Sequence, residues 1–352
     1  MHVPDGFINA PASAATGVVA AAAVAVSLRG ARRELDERTA PLAGLVAAFI
    51  FAVQMLNFPV AAGTSGHLLG GALAAILVGP CTGVLCVSVV LLMQGILFAD
   101  GGLTALGVNI TDMAIVTTIV SYAVFRLLVK VLPRGRRSVT VASFAAALLS
   151  VPAAAVAFTL IYAVGGTTDV SLGKVATAMI GVHVLIGLGE AVITALTVGA
   201  VIAVRPDLVH GARGLRQRLK LRVNGALVDV PASDGARTAP VAARTSRRAL
   251  WITGLATSLV LAGFVSFYAS SSPDGLEKVA HDKGIDKKAQ RHSSADSPLA
   301  DYGVRDVEDA RLSGGLAGVI GVGVTAVAGS AVFWVVRRRR TPDVSPTSTS
   351  AV

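Results

Sequence analysis

Residues 175–204 read VATAMIGVHVLIGLGEAVITALTVGAVIAV, a run in which His183 and Glu190 are the only ionisable side chains. An α-helix crosses the hydrocarbon core of a bilayer with roughly 20 apolar residues. This run is long enough, so it predicts a transmembrane helix. The spacing of His183 and Glu190 places both on one face of that helix, where they either line a transport path or form a structural pair with a neighbouring helix.

The whole chain shares this character. It has 352 residues, of which 53% are hydrophobic and only 15% are charged, and its mean hydropathy is +0.69. This composition excludes a soluble globular domain and predicts an all-α polytopic membrane protein. The net charge of +10 comes largely from arginines between apolar runs, so we interpret it as a determinant of membrane topology and expect no nucleic-acid partner.

The apolar runs predict nine spans and four segments of the chain. The spans cover about 10–28, 42–60, 68–79, 82–98, 105–131, 139–164, 175–204, 249–269 and 314–336. The third is short for a complete crossing, so we expect it to start below the membrane surface. We divide the chain into a seven-span domain (1–204), a cytoplasmic basic linker (205–248), a two-span domain (249–340) and a disordered tail (341–352).

The positive charges give one consistent topology. Cytoplasmic loops are enriched in Lys and Arg, and the basic clusters of this chain are Arg29–Arg38, Arg134–Arg137, residues 205–248 and Arg337–Arg340. With all of them inside, the N-terminus is outside and the C-terminus is cytoplasmic. Residues 61–67 then also lie outside, on the same side as Met1 and His2.

The first two residues have the chemistry of a metal chelate. The α-amine of Met1, the main-chain nitrogen of His2 and a ring nitrogen of His2 can reach one ion, and a fourth ligand would complete a square plane. Nitrogen-rich tetragonal geometry suits Ni(II), Cu(II) and, less strictly, Co(II). The amine must be unblocked and deprotonated, and we expect Met1 to be retained because His2 is bulky. The alternative is that His2 is an ordinary exposed terminal residue.

His67 is the candidate for the fourth ligand. It lies in residues 63–71, GTSGHLLGG, whose glycines allow the backbone to turn sharply. A histidine at the start of a membrane segment needs a partner, which is either a metal ion or a nearby carbonyl. Because His2 lies on the same side of the membrane, we favour the interpretation of His67 as a ligand.

Five further polar residues occur in or at the ends of apolar runs: Asn57, Gln94, Asp100, Asn109 and Asp112. Polar side chains within a membrane face the bundle interior and often mark an ion path. These residues either orient His2 and His67, line a path together with His183 and Glu190, or simply cap and connect helices.

Three blocks of the first 204 residues resemble one family. They are residues 1–7 (MHVPDGF), residues 57–60 (NFPV) followed by 63–71, and Gln94 followed by residues 100–107 (DGGLTALG). In this order they resemble the CbiM/NikM substrate-binding membrane proteins, the cobalt- and nickel-capturing subunits of energy-coupling factor transporters. Residues 272–278 (SPDGLEK) resemble the hallmark of the PDGLE domain, which is similar to the small CbiN/NikN component, with two spans around an extracytoplasmic loop.

The resemblance implies a function. It implies coordination of Co(II) or Ni(II) by the Met1 amine, the main-chain and ring nitrogens of His2 and the ring of His67. It also implies uptake across the plasma membrane with a membrane coupling (T) subunit and a pair of cytoplasmic ATPases, to supply cobalamin biosynthesis or a nickel enzyme. The ligands do not separate the two metals, although we favour cobalt. We expect no enzymatic activity and no cofactor, because the metal is the transported substrate.

The absence of an ATP-binding motif agrees with a transporter whose ATPases are separate subunits. The sequence has no Gly-x-x-x-x-Gly-Lys-Ser/Thr loop, so we expect ATP to be hydrolysed by another polypeptide. One alternative is an ATP-independent secondary transporter or channel for divalent metals, which predicts coupling carboxylates at mid-membrane. Another is an intramembrane enzyme or a metal sensor, for which the required residue spacing or output domain is missing.

Overall fold

A computed structural model describes residues 1–35, 40–61, 63–215, 220–223, 226–229 and 247–338. Within these residues, seven helical segments are long and apolar enough to cross a membrane: Ala10–Glu34, Pro80–Leu97, Leu106–Val131, Arg136–Gly165, Leu172–Val204, Trp251–Tyr268 and Ala310–Arg338. They confirm the prediction of an all-α polytopic membrane protein. Large apolar side chains such as Val18, Leu160 and Val327 are exposed on these helices, as expected of surfaces that face lipid.

The second and third predicted spans are shorter than the sequence predicted. Helix α1 is Ala10–Glu34, and helix α2 is Ala40–Gln54. The chain then forms an antiparallel hairpin of β1 (Phe58–Ala61) and β2 (Thr64–Gly66). Pro59 has no N–H for a helical hydrogen bond, which is one reason why the helix does not continue to residue 60. Prediction of a span over 42–60 was therefore wrong in its last third.

Helix α3 is Gly71–Val78, and every one of its residues is buried. It is too short to cross a membrane and is surrounded by protein instead of lipid. Gly70 enables its start, because its φ of 89° is one that side chains other than glycine rarely adopt. The sequence correctly marked this segment as too short for a complete crossing.

The remaining helices of the first domain follow the predicted spans. They are α4 (Pro80–Leu97), α5 (Leu106–Asn109), α6 (Thr117–Val131), α7 (Arg136–Gly165) and α8 (Leu172–Val204). A π-helical turn, Ile110–Val116, joins α5 to α6. Helix α7 packs along α8, and close approach is possible because Gly187 faces the main chain of Leu148.

The C-terminal spans pack against the first domain. Between them and α8 are two 3₁₀ turns, Pro206–Leu208 and His210–Leu215, and a hairpin of β3 (Lys220–Val223) and β4 (Ala226–Asp229). Then follow α9 (Arg247–Gly263), α10 (Gly275–Lys283) and α11 (Ala310–Arg338). The rest of the predicted linker and the predicted tail lie outside the described residues.

Helix α2 is the main contact between the two parts. Both α9 and α11 pack on it. Gly44 of α2 lies against Ser330, and Gly321 lies against Phe51, so the backbones approach closely at small residues. Because α9 and α11 cover α2, its side chains are almost all buried.

Candidate metal centre

The N-terminal segment, residues 1–9, folds into one end of the bundle. Met1, Val3 and Phe7 are buried, as is His2, which is only 8% exposed. At its far end, Asn9 donates its main-chain N–H to the Gly165 carbonyl (2.7 Å) and accepts from the N–H of Ala12 as the N-cap of α1. The segment is therefore an ordered part of the bundle, in contrast to the exposed terminus considered as the alternative.

Three main-chain contacts fix the depth of this segment. The side chain of Asn109 accepts from the N–H of Val3 (2.7 Å) and donates to the Val3 carbonyl (3.2 Å). The same carbonyl accepts from the N–H of Gly102 (2.9 Å). A Cβ atom on Gly102 would overlap Asp5, so a glycine is required for this approach. These bonds place His2 between α4 and the turn at residues 99–102.

The main chain that follows His67 is held by a carboxylate from α8. Glu190 accepts from the main-chain N–H groups of Leu69 (2.7 Å) and Gly70 (3.1 Å), both in the segment that links β2 to α3. The His67 Nδ1 atom lies 3.0 Å from the carbonyl of Leu68. This contact fixes the ring and leaves Nε2 directed at the N-terminus.

The amine and the two imidazoles converge. The Met1 nitrogen lies 2.6 Å from His67 Nε2, and the ring centroids of His2 and His67 are 5.1 Å apart. A carboxylate that the sequence analysis did not consider joins them, because Asp274 Oδ2 is 2.8 Å from the Met1 nitrogen and 3.6 Å from His67 Nε2. One ligand atom each of His2, His67 and Asp274 lies within 4.8 Å of the others.

The His2 ring is bordered by two polar groups. Its Nε2 lies 3.2 Å from Gln94 Oε1, and its Nδ1 lies 3.3 Å from Asp100 Oδ1. Burial, together with the nearby Met1 amine and His67, outweighs the attraction of Asp100 and lowers the pKa of His2 to about 4. A neutral imidazole is the form that binds a metal.

Tyr302, from the loop before α11, braces both neighbours of His2. Its hydroxyl donates to Asp100 Oδ2 (2.6 Å) and accepts from Gln94 Nε2 (2.9 Å). The His2 imidazole is thus part of a closed ring of polar contacts. Its other members are Gln94, Tyr302 and Asp100. Burial, and the adjacent Asp100 carboxylate, raise the pKa of Tyr302 well above its usual value, so this hydroxyl stays protonated and can donate.

Asp274 uses its two oxygens differently. Oδ1 accepts from the N–H of Glu277, and the Glu277 side chain accepts from the N–H of Asp274, which is a capping box at the start of α10. Oδ2 points away from α10 to the Met1 amine. Burial alone would raise the pKa of Asp274, but the Met1 amine and His67 outweigh it and hold this pKa well below the usual value.

The other predicted residues have separate positions. Asn109 and Glu190 hold the main chain beside the site, as described. Asn57 accepts from the N–H of Ser270 with its main-chain carbonyl (2.7 Å). His183 directs Nδ1 to the Met179 carbonyl (2.7 Å) and packs beneath Gly275. Asp112 is buried in the π-helical turn, where no hydrogen-bond partner for its carboxylate lies among the described residues.

Sequence reasoning missed Asp5, Asp274 and Tyr302. Asp5 accepts from the N–H of Thr104 (2.8 Å) and so pins the N-terminal segment to the loop after α4. The sequence did contain a signal for Asp274, because it lies in the block 272–278 that carries the family resemblance. No sequence pattern places Tyr302 beside Asp100.

The site is next to a cavity of about 610 Å³ between the N-terminal segment and α10. His2, Pro4 and Phe7 line one side, and Leu276, Glu277 and His281 line another. His2 therefore borders this cavity.

Comparison with known proteins agrees with the two-part architecture. Residues 2–208 match the family described as "Cobalt uptake substrate-specific transmembrane region", CbiM, and residues 248–338 match the PDGLE domain. The first match covers more than half of the chain. The two matches flank the basic stretch, in the same order as the two resemblances found in the sequence.

Individual relatives include transport proteins. A putative metal transport protein of Haloquadratum walsbyi is 39% identical over 211 residues, or 59% of this chain and 93% of that protein. A putative fused nickel transport protein, NikMN, of Archaeoglobus fulgidus is 39% identical over 232 residues, or 65% of this chain and 75% of that protein. The crystal structure of a transition metal transporter is similar with a TM-score of 0.51 and 27% identity, covering 62% of this chain and all of that one.

Proposed function

The chain belongs to the CbiM family of cobalt uptake transmembrane regions, and we propose that it captures Co(II) or Ni(II) at the extracytoplasmic face of the plasma membrane for ATP-driven uptake. The chain is a multi-pass membrane protein and a component of cobalt or nickel transport. We propose in addition a set of ligands, the side of the membrane on which capture occurs and the source of energy.

One observation carries the ligand assignment. The Met1 nitrogen and His67 Nε2 are 2.6 Å apart in a buried position beside the His2 ring. With bonds of about 2.0–2.2 Å, as for zinc, two ligands at right angles are about 3 Å apart, close to this separation. The main-chain nitrogen of His2 lies in the covalent chain between the Met1 amine and the His2 ring, so it can reach the same ion. The proposed ligands are therefore the Met1 amine, the main-chain nitrogen of His2, the His2 ring and the His67 ring.

Binding in this set exchanges protons and polar contacts for the ion. The Met1 amine and the His2 main-chain nitrogen each give up a proton on coordination. A ring nitrogen of His2 leaves its contact with Gln94 or Asp100, and the remaining contact then fixes the tautomer and orientation of the ring. Four nitrogen donors in a plane disfavour Zn(II), which prefers a tetrahedral site.

The first test is a titration of Co(II) and Ni(II) against the purified full chain. We expect tight binding by wild type and its loss in His2→Ala, in His67→Ala and in a form with one residue added before Met1. His281→Ala is the matched control, because His281 is exposed and lies on α10. Tight binding by the extended form would show that the amine is not a ligand and would contradict the ligand set.

The side of capture has its own test. We propose that the N-terminus and the loop between α9 and α11 are outside, and that the C-terminus is cytoplasmic, as the basic clusters predict. In cells expressing a Cys81→Ala/Cys86→Ala background, Lys283→Cys should react with a membrane-impermeant maleimide, and Arg134→Cys should react only after lysis. The reverse pattern would contradict this topology.

The energy source is tested by reconstitution. Because the sequence has no phosphate-binding loop of the Gly-Lys-Ser/Thr type, we propose that a membrane coupling subunit and a pair of ATPases drive uptake. Vesicles containing those subunits should take up Co(II) or Ni(II) only with ATP. Uptake by this chain alone, without ATP, would support the secondary-transporter alternative instead.

A further inference from the structure

The loop that connects α9 to α11 reaches into the proposed nitrogen site with one carboxylate. Asp274 Oδ2 lies 2.8 Å from the Met1 nitrogen and 3.6 Å from His67 Nε2, and these two nitrogens are 2.6 Å apart. All three separations fit donors that surround one point at about 2.0–2.2 Å. Only 9% of Asp274 is exposed, so its carboxylate is directed at these groups and away from water.

The position of this carboxylate is fixed by its own helix. The capping box with Glu277 occupies Oδ1 and orients the side chain. Oδ2 takes no part in the cap and is directed at the Met1 amine. One carboxylate oxygen of Asp274 therefore caps α10, and the other contacts the Met1 amine at the proposed metal site.

The loop itself is docked beside His67. Ser65 of β2 donates its main-chain N–H to the Pro273 carbonyl (2.8 Å) and its hydroxyl to the Ser272 carbonyl (2.7 Å). On the other side, Gly275 packs against Ile186 and His183 of α8, where a Cβ atom would lie within 3.2 Å of the His183 ring. Contacts on both flanks hold Asp274 at the site.

We propose that Asp274 is a direct ligand of the transported ion, a carboxylate oxygen that the C-terminal domain adds to the nitrogen donors of the first domain. This inference rests on the proposed function, because it assigns a further ligand to the same ion. An added oxygen donor raises the coordination number above four and moves Ni(II) or Co(II) away from a purely planar geometry. It also makes complete coordination depend on docking of the loop.

The test compares Asp274→Asn with wild type in the full-length chain. Asparagine is as good an N-cap as aspartate, so α10 keeps its start, but an amide directs a poorer donor to the site. Asp274→Ser, which also caps but is too short to reach the ion, is the second variant. Asp282→Asn is the control, because Asp282 lies on the same helix and pairs at the surface with Lys278.

Two quantities distinguish a ligand from a hydrogen-bond partner: the Kd for Co(II) and the electronic absorption spectrum of bound Co(II). We expect both Asp274 variants to bind at least about tenfold more weakly and to give a changed spectrum. Their thermal unfolding should stay cooperative but shift to lower temperature, because the buried Met1 amine loses its partner. Asp282→Asn should match wild type in all three measurements. Weaker binding with an unchanged spectrum would overturn the inference, since Asp274 would then act only on the amine. Unchanged affinity in both variants would overturn it too.

The same titration separates this inference from the function it builds on. If wild type binds Co(II) tightly and the Asp274 variants match it, only the carboxylate ligand fails. If wild type itself binds neither Co(II) nor Ni(II), the proposed function fails, and the inference fails with it.

Discussion

Two regions of the chain meet at the site, and they are held there in different ways. The first region, residues 1–67, which we call the nitrogen region, carries the proposed nitrogen ligands on main chain that is hydrogen-bonded inside the bundle, as between Val3 and Asn109. The second region, the loop between α9 and α11, brings Asp274 to the Met1 amine and Tyr302 to Asp100 and Gln94. Its helix α10 is anchored by a few contacts and exposes charged side chains such as Asp282.

This difference predicts that substitutions in the two regions affect the stability of the protein and its metal affinity differently. Segments with few buried contacts open at a smaller free energy than the core of a domain. We therefore expect substitutions that loosen the nitrogen region to lower stability and metal affinity together. Substitutions in the loop that leave the pair of Asp274 and the Met1 amine in place should lower metal affinity with little change in stability.

The largest effect is expected for Glu190→Ala. It leaves the buried N–H groups of Leu69 and Gly70 without an acceptor, and each such group costs about 1–3 kcal/mol. The free energy of unfolding should fall by about 2–6 kcal/mol, and Co(II) affinity should fall because the main chain beside His67 loses its support. Thermal unfolding in detergent and a Co(II) titration measure the two effects.

Thr194→Val is the matched control for Glu190→Ala. Thr194 lies one turn further along α8, and its buried hydroxyl has no hydrogen-bond partner among the described residues. Valine has nearly the same shape, so stability should be unchanged or slightly higher. A Glu190→Ala protein as stable as this control would contradict the view that the nitrogen region is built into the bundle.

A second effect concerns pH and the burial of His2. Its pKa in the folded protein is about 4, against about 6.5 when unfolded. Between these values the unfolded chain binds the additional proton, so stability rises with pH and is lost as pH falls from about 6.5 to 4. The contribution of His2 is at most about 1.4 kcal/mol per pH unit.

Unfolding of metal-free protein between pH 4 and 7, with a chelator present, measures this slope. His2→Gln should show a shallower slope than wild type over the same range. Asp274, whose pKa is lowered, adds to the slope only below about pH 5, and it is present in both proteins, so the difference between their slopes reports His2. Equal slopes in wild type and His2→Gln would mean that the N-terminal segment is not buried as the structure has it.

A smaller effect is expected for Tyr302→Phe, which removes a loop hydroxyl that braces the nitrogen region. Asp100 and Gln94 lose a shared partner and hold the His2 ring less firmly. Loss of such an outer partner weakens metal binding by about tenfold, which is about 1.4 kcal/mol. Co(II) titration measures it, with Tyr268→Phe as an exposed control. A large drop in thermal stability would contradict the separation of the two regions.

Much of the first region could be predicted from the sequence. Residues 1–7 and 63–71 carry the proposed ligands in short blocks, and the arginine clusters predict that both blocks lie on one side of the membrane. From there, covalent chemistry limits which atoms of Met1 and His2 can reach one ion. The structure brings Met1, His2 and His67 together, as the sequence predicted.

The second region could not be predicted in the same way. Asp274 contacts Met1 across 273 residues, and a polar loop contains no periodic pattern that fixes where it docks. Tyr302 depends on the same docking. The hairpin at Phe58–Gly66 was also missed, because apolar residues on both sides of Pro59 look like a continued span.

The smallest effect should come from Glu277→Ala. It removes the side-chain acceptor for the N–H of Asp274, and half of a capping box is worth about 0.5–1 kcal/mol. That energy is local to α10, so global unfolding should hardly change. Asp274 would be less well oriented, however, and we expect Co(II) to bind a few-fold more weakly. Glu277→Gln keeps the capping box and should bind like wild type. If Glu277→Ala matches Glu277→Gln in affinity, the contacts of Ser65 alone suffice to place Asp274, and the loop is as firmly held as the bundle.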